Sequence, residues 1–361
     1  MSDPRQNRGK IYPLPLLLTY ILLAKLAGCD KPTSIFQWVR QHQTELLSLS
    51  DTRHQRVPCL NTYRNIMNAG LGMDALMTAF NQYLLSTYGG QQSRLIVIDG
   101  KTLCGTIPKG ETAGTHLLAA YLPEEGVVLR QIEVDSKENE ITAAHGLLEE
   151  IPLKDRVVCG DAMHTQRQLS VEILAQGGDY LWFVKENQPS LCFDVTQFFK
   201  PPRKAAGWHH QELPYDVAQE TNKGHGRLET RRLTLIEDTE AFLSWPGVKQ
   251  VFMLERDVTQ LKRGHHTHEI AYGITSCDRE SASAEQLLAW TRQYWGIENG
   301  LHYRRDVTLR EDDTRMSMAH MPAIMATINN FIVGLTQKLG FSNLAHARRV
   351  FAYHISAQLM A

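Results

Sequence analysis

No C-x-x-C pair occurs among the six cysteines, Cys29, Cys59, Cys104, Cys159, Cys192 and Cys277, and their spacing is irregular. That excludes a zinc knuckle and argues against a disulfide framework, leaving reduced thiols of a cytoplasmic protein. Net charge is nearly absent too. Lys+Arg number 38 and Asp+Glu 39, for −1 at pH 7, so no overall basic field announces a polyanion partner. No apolar run reaches the ~20 residues a membrane helix needs. The stretch Ile11 to Ala24 holds Pro13 and Pro15 and is followed by Lys25. With Arg5, Arg8 and Lys10 before it and Leu26-Ala27-Gly28-Cys29 after it, it imitates a lipoprotein signal. The prolines and the lysine favour a buried helix of a cytoplasmic domain instead. Low-complexity tracts and internal repeats are also missing.

What is present is an ordinary globular composition, 43% hydrophobic and 21% charged over 361 residues, enough for a large core and more than one domain. The charges are unevenly placed. Lys+Arg against Asp+Glu run 9 to 5 over residues 1–93, 22 to 30 over 94–298 and 7 to 4 over 299–361. A carboxylate-rich middle suits metal binding, and basic flanks suit a polyanion such as DNA.

Apolar periodicity predicts helices over Leu14–Ala27, Ser34–Leu49, Thr62–Leu71 and Asp74–Thr87, a helical region of residues 1–92. Arg64 and Asn65 near a helix start are compatible with a DNA-reading helix. From Arg94 the texture changes. Strands are expected at Leu95–Ile98, His116–Leu122, Val127–Val134, Arg156–Cys159 and Tyr180–Val184, with helices at Ile141–Glu150 and Thr165–Ala175. Residues 186–270 read as a β-rich insertion, with strands at Leu228–Ile236, Val248–Leu254 and Glu269–Thr275. A helix from Ser283 to Arg305 follows, and a helical region closes the chain from residue 311. The expected fold class is therefore α/β: a mixed sheet in residues 93–310 with helical flanks.

Two aspartates end apolar strands, Asp99 after Leu-Ile-Val-Ile and Asp161 after Val-Val-Cys-Gly. Ligands gather at that edge of an α/β sheet. Carboxylates that converge there need a shared proton or a cation, and all-oxygen donors suit Mg²⁺ or Mn²⁺. A third acid, Glu298, sits at the margin of the stripe Trp290, Tyr294, Ile297 and Leu301. Thr291, His302 and Arg305 share that margin on an α-helical projection, which would let His302 or Arg305 reach a phosphate while Glu298 faces the sheet edge. The competing reading pairs Glu298 with His302 or Arg305 on a solvated face. Glu311-Asp312-Asp313 reads as a solvated turn or helix start.

The segments Ile98-Asp99-Gly100-Lys101-Thr102, Gly160-Asp161-Ala162-Met163-His164-Thr165-Gln166 and Tyr294-Trp295-Gly296-Ile297-Glu298-Asn299-Gly300-Leu301-His302 resemble insertion-sequence transposases of the DDE class, in the H-repeat-associated subgroup. The resemblance continues through Lys185-Glu186-Asn187-Gln188, His225-Gly226-Arg227-Leu228-Glu229-Thr230-Arg231 and the N-terminal helical region. It implies a ribonuclease-H-like fold in which Asp99, Asp161 and Glu298 bind two divalent ions, Mg²⁺ or Mn²⁺, about 4 Å apart. It also implies double-stranded DNA as partner, both element ends and target, and a homodimer or larger synaptic assembly in the bacterial cytoplasm. Relatives carry a tyrosine, an arginine and a lysine around the glutamate. Here Thr291 and Tyr294 stand at the first two positions and Arg305 replaces the lysine, with Arg292 as a substitute arginine. Lys101, Lys185, Asn187, Gln188, Arg227, Arg292, His302 and Arg305 are the expected DNA contacts. His265, His266 and His268 beside Lys262 and Arg263 read as a basic loop suited to DNA. Trp208 is the better base-stacking candidate, whereas Trp182 belongs to the core. A DNA-binding relative that no longer cuts, or a nuclease without a joining step, would share most of these features.

Overall fold

A computed structural model describes residues 3, 5, 10–49, 55–68, 71–88, 93–135, 139–200, 214–224, 226–238, 241–262, 264–318 and 320–353. It is a mixed α/β fold with a central sheet flanked by helices. The chain divides into two compact units, one of Met1–Ser93, Gly100–Asn139 and Ile297–Ala361, the other of Arg94–Asp99 and Glu140–Gly296. Trp208, Arg263 and His225 lie outside the described residues.

The first unit begins with helices α1 (Leu14–Leu26), α2 (Pro32–Gln41), α3 (Gln43–Leu49), α4 (Leu60–Asn68) and α5 (Met73–Tyr88). α1 is buried on almost every side, Lys25 included, so its apolar run serves a protein core. Among the described residues no helix is long and apolar enough to cross a membrane. The expected helix 34–49 is two helices that break at His42, whose ring stacks on Trp38 at 4.5 Å. A hairpin, β2 (His116–Leu122) and β3 (Val127–Val134), follows where periodicity placed it. α10 (Met321–Lys338) is buried from Met321 to Thr336 and packs against α5 and β3; α11 (Leu344–Tyr353) packs on α1 and α10.

In the second unit, β4 (Val157–Gly160) pairs in parallel with β1 (Leu95–Thr102) and with β5 (Asp179–Val184). Aliphatic residues in β1 and β4 and the Tyr-Leu-Trp-Phe-Val run of β5 are buried on both faces; α7 (Arg167–Ala175) packs on β5, and α6 (Glu140–Glu149) packs on α7. The expected insertion extends the sheet in antiparallel fashion through β6 (Tyr215–Gly224), β7 (Arg227–Glu237), β8 (Gln250–Gln260) and β9 (His266–Thr275), with β9 against β5. Within this unit the strand order is β1-β4-β5-β9-β8-β7-β6. Two elements escape the sequence reading. β6 is an edge strand of mostly polar residues with almost no apolar alternation to reveal it. α8 (Pro189–Phe198) opens on a proline at its first turn, a position where proline fits a helix, and packs on β9. Trp182 is fully buried, as expected, and its indole N–H donates to Ser170 Oγ at 3.0 Å. Trp245 is also buried and donates to the same oxygen at 3.2 Å.

Candidate active site

The register pairs Ile98 of β1 with Gly160 of β4. Asp99 and Asp161 are thus the residues after the last paired positions of two neighbouring parallel strands. β1 runs on to Thr102, so Asp99 is held inside a strand and does not begin a loop. Gly160 is required here, since a Cβ would come within 2.8 Å of Ile98 Cγ1 and 3.0 Å of the buried His164 ring.

The loop carrying Asp161 is braced from three sides. Thr165 Oγ1 donates to Phe183 O at 2.7 Å, Asn187 Nδ2 to Ala162 O at 2.7 Å and Gln188 Nε2 to Thr165 O at 3.0 Å. Asn187 and Gln188, expected at DNA, therefore spend their amides on the backbone beside Asp161. Lys185 is 65% exposed and its Nζ lies 3.2 Å from Asp161 Oδ1. These residues border a cleft of about 640 Å³ that Met163, Phe183, Ile270 and Tyr272 also line.

Glu298 lies on the continuation of α9 (Ala284–Tyr294), but the winding there is not α-helical. Glu298–His302 and Arg304–Thr308 are π-helical, a form that is rare and frequent at functional sites. Gly300 lets this segment approach β2, since a Cβ there would sit 3.1 Å from Tyr121 Oη. Glu298 and His302 each offer one ligand atom, a carboxylate oxygen and a ring nitrogen, and these lie within 4.8 Å of each other, so the two could share a divalent cation. Glu298 is exposed, whereas His302 is buried. Burial, then the nearby charges of Arg305 and Lys101, push the His302 pKa down to about 3. The imidazole is therefore neutral at pH 7, the form in which histidine offers a lone pair to a metal. The sequence reading gave His302 a phosphate. Its spacing of four residues from Glu298 is the signal for a ligand that the sequence offers.

Arg305 is placed differently from the α-helical projection. An α-helix would set it roughly 20° from Glu298, while π winding carries it roughly 150° round the axis. It is 1% exposed, with Nε 2.9 Å and Nη2 2.7 Å from Glu311 Oε2. Glu311, read as a solvated acid, is buried and accepts from Asn329 Nδ2 at 2.7 Å. Only Asp312 and Asp313 of that trio form the expected turn, the 3-10 segment Asp312–Thr314. Lys101 is bound to Asp306 at 2.6 Å, and the exposed Arg292 to Glu220 at 2.8 Å. Arg227, half exposed at the β6–β7 turn, lies 3.6 Å from Glu229. His266 and His268 flank Asp257 at 3.1 and 3.0 Å.

A family model described as "Transposase DDE domain" matches residues 90–326, and one described as "DDE_Tnp_1-associated" matches residues 1–84. Among relatives in Escherichia coli strain K12, the protein YbfL is 27% identical, covering 93% of this chain and 88% of its own. The H repeat-associated proteins YhhI and YbfD, both provisionally named as transposases, are 26% and 33% identical. They cover 93% and 64% of this chain, and in each case 88% of their own length. By these matches the chain belongs to the DDE-domain transposases, in the H-repeat-associated insertion-sequence subgroup.

Proposed function

We propose that this protein cuts DNA at the ends of a bacterial insertion sequence and joins those ends to target DNA, using a ribonuclease-H-like core. The observation that supports the reading is the register of Ile98 with Gly160, by which Asp99 and Asp161 each follow a paired position on neighbouring strands, together with the Glu298–His302 pair of donors. A carboxylate and a neutral imidazole fit a divalent cation, and carboxylates favour Mg²⁺ or Mn²⁺. Asp99, Asp161 and Glu298 would hold two ions, with His302 as an added donor. When bound, such ions stabilise the attacking and leaving oxygens of an in-line phosphodiester displacement.

The chain's own residues bind and orient the DNA. Lys185, exposed beside Asp161, and Arg227 and Arg292, both half exposed, are the cations best placed to meet phosphates. Lys101 and Arg305 act through their protein partners, and Asn187 and Gln188 hold the Asp161 loop. Residues 1–92 recognise the element ends, in a homodimer or larger assembly. Deleting that region would strip α10 of its packing against α1, α4 and α5, so point substitutions test the assignment better.

The deciding experiment incubates the protein with a donor carrying the terminal repeats that flank its gene. Cleavage and strand joining are expected in Mg²⁺ or Mn²⁺, with binding but no cleavage in Ca²⁺, whose larger shell is less strict in geometry. Cleavage without joining would reassign the protein as a nuclease, binding alone would mark a retired transposase, and full cleavage in excess chelator would sink the metal mechanism.

A further inference from the structure

We propose that Arg305 and Glu311 are positioning residues that hold the Glu298–His302 turn in the shape a metal requires. This rests on the reading of Glu298 and His302 as metal ligands. Arg305 stands three residues after His302, in the next π-helical segment, so its anchorage is transmitted through the backbone to both candidate ligands. That anchorage is a buried polar network. Arg305 Nε donates to Glu311 Oε2 at 2.9 Å, its Nη2 lies 2.7 Å from the same oxygen as an ion pair, and its Nη1 donates to Gln131 Oε1 on β3 at 3.4 Å. Glu311 accepts from Asn329 at 2.7 Å, and Gln131 from Asn330 at 3.0 Å, both asparagines on the buried helix α10. Every member is at least nine-tenths buried. Five polar side chains so deep are costly and give no contact with solvent or DNA in return. What they do is fix direction: a planar guanidinium on a carboxylate sets orientation as well as distance. The π winding is a rare form, and these side chains hold the segment that follows the Glu298–His302 turn. Lys101 on Asp306 pins the same segment from β1, and Arg348 of α11, donating to Thr308 O, pins its end.

The test uses the full-length protein and Mn²⁺ alone, followed by electron paramagnetic resonance without DNA. Gel shifts on an element-end duplex run in parallel over a range of salt. Glu298→Gln should weaken Mn²⁺ binding strongly. Glu311→Gln and Arg305→Lys should each weaken it by about 10- to 100-fold, the range for residues that orient metal ligands. Affinity for the duplex should stay within about twofold and its salt dependence should not change, since neither side chain meets a phosphate. The double variant Arg305→Gln with Glu311→Gln should recover part of the Mn²⁺ affinity lost by Glu311→Gln, because no lone buried charge remains. Arg305→Lys keeps the charge and is the variant to rely on if Glu311→Gln does not fold. Wild-type Mn²⁺ affinity in a folded Arg305→Lys protein would overturn the inference. So would a salt dependence reduced by about one charge in that variant, which marks a DNA contact. If Glu298→Gln leaves Mn²⁺ binding intact, the metal reading itself fails and this inference falls with it.

Discussion

The Asp161 loop and the Glu298 turn each present an acid, yet they are stabilised in opposite ways. Around Asp161 the support is local and neutral: Thr165, Asn187 and Gln188 each make one hydrogen bond to a nearby carbonyl. Its ion pair with Lys185 is open to water. Behind Glu298 the support is charged and buried, in the Arg305–Glu311 pair and the amides around it. Neutral braces can be removed singly, each worth about 1 kcal/mol. A buried pair behaves as a unit, because deleting one partner strands the other charge. The loop should therefore tolerate change in steps, and the turn should not.

The largest effect expected erases the comparison altogether. Asp99→Asn, Asp161→Asn and Glu298→Gln should each lower cleavage by on the order of 10³-fold or more while end binding survives, as for members of one catalytic unit. Single-turnover cleavage and gel shifts measure both, and near-normal cutting by any of the three would remove that residue from the site. Next in size, Arg305→Met should cost about 3–5 kcal/mol of stability by leaving Glu311 alone in the core. Lys185→Ala should cost no more than about 1 kcal/mol, because its pair is solvated. Equal losses in urea titrations would mean that the two regions are not built differently. Asn187→Ala should cost about 1 kcal/mol and leave more cleavage than the aspartate variants, since the other two braces remain. Smaller still, Arg64→Ala on the exposed side of α4 should reduce the salt dependence of end binding by about one charge. An unchanged slope would count against α4 as a DNA-facing helix.

The weakest effect sharpens the contrast from a third place. Glu229 is buried on β7 among Arg256, Arg231 and Arg227. Burial raises its pKa, but the Arg256 hydrogen bond and the three positive charges outweigh that, and the net shift is downward from 4.5. A carboxylate with a depressed folded pKa adds stability above its unfolded value and loses it as pH falls through the folded one. The stability gap between wild type and Glu229→Gln should therefore be constant above about pH 4.5 and narrow below it. A gap that does not change down to pH 3 would show that the three arginines contribute nothing through charge.

Much of this was legible in the chain because it depends on neighbours in sequence. β2 and β3 have the bounds their apolar alternation predicts, and the apolar runs of β1, β4 and β5 are strands. Asp161 follows the end of β4 as expected, whereas β1 continues past Asp99 to Thr102. Less legible were β6, whose polar residues suit an edge, and the turn around Glu298. A projection at 100° per residue assumes an α-helix, and the π winding of Glu298–His302 and Arg304–Thr308 breaks that assumption. The error does not move Glu298 and His302, four residues apart, off a common face, but it turns Arg305 inward.

By itself, the sequence determined the alternation of strands and helices, the three acidic motifs and the family, since these rest on residue type and short-range spacing. Only the tertiary structure decided the partners of the charges. Glu311 looks like one of three solvated acids until Arg305, six residues before it, and Asn329 on α10 close around it. Asn187 and Gln188 each give an amide N–H to the backbone of the Asp161 loop, which residue type and spacing do not reveal. The physical reason is the same in each case. A polar side chain's role is set by whether water or protein satisfies it, and burial depends on packing between segments far apart in sequence.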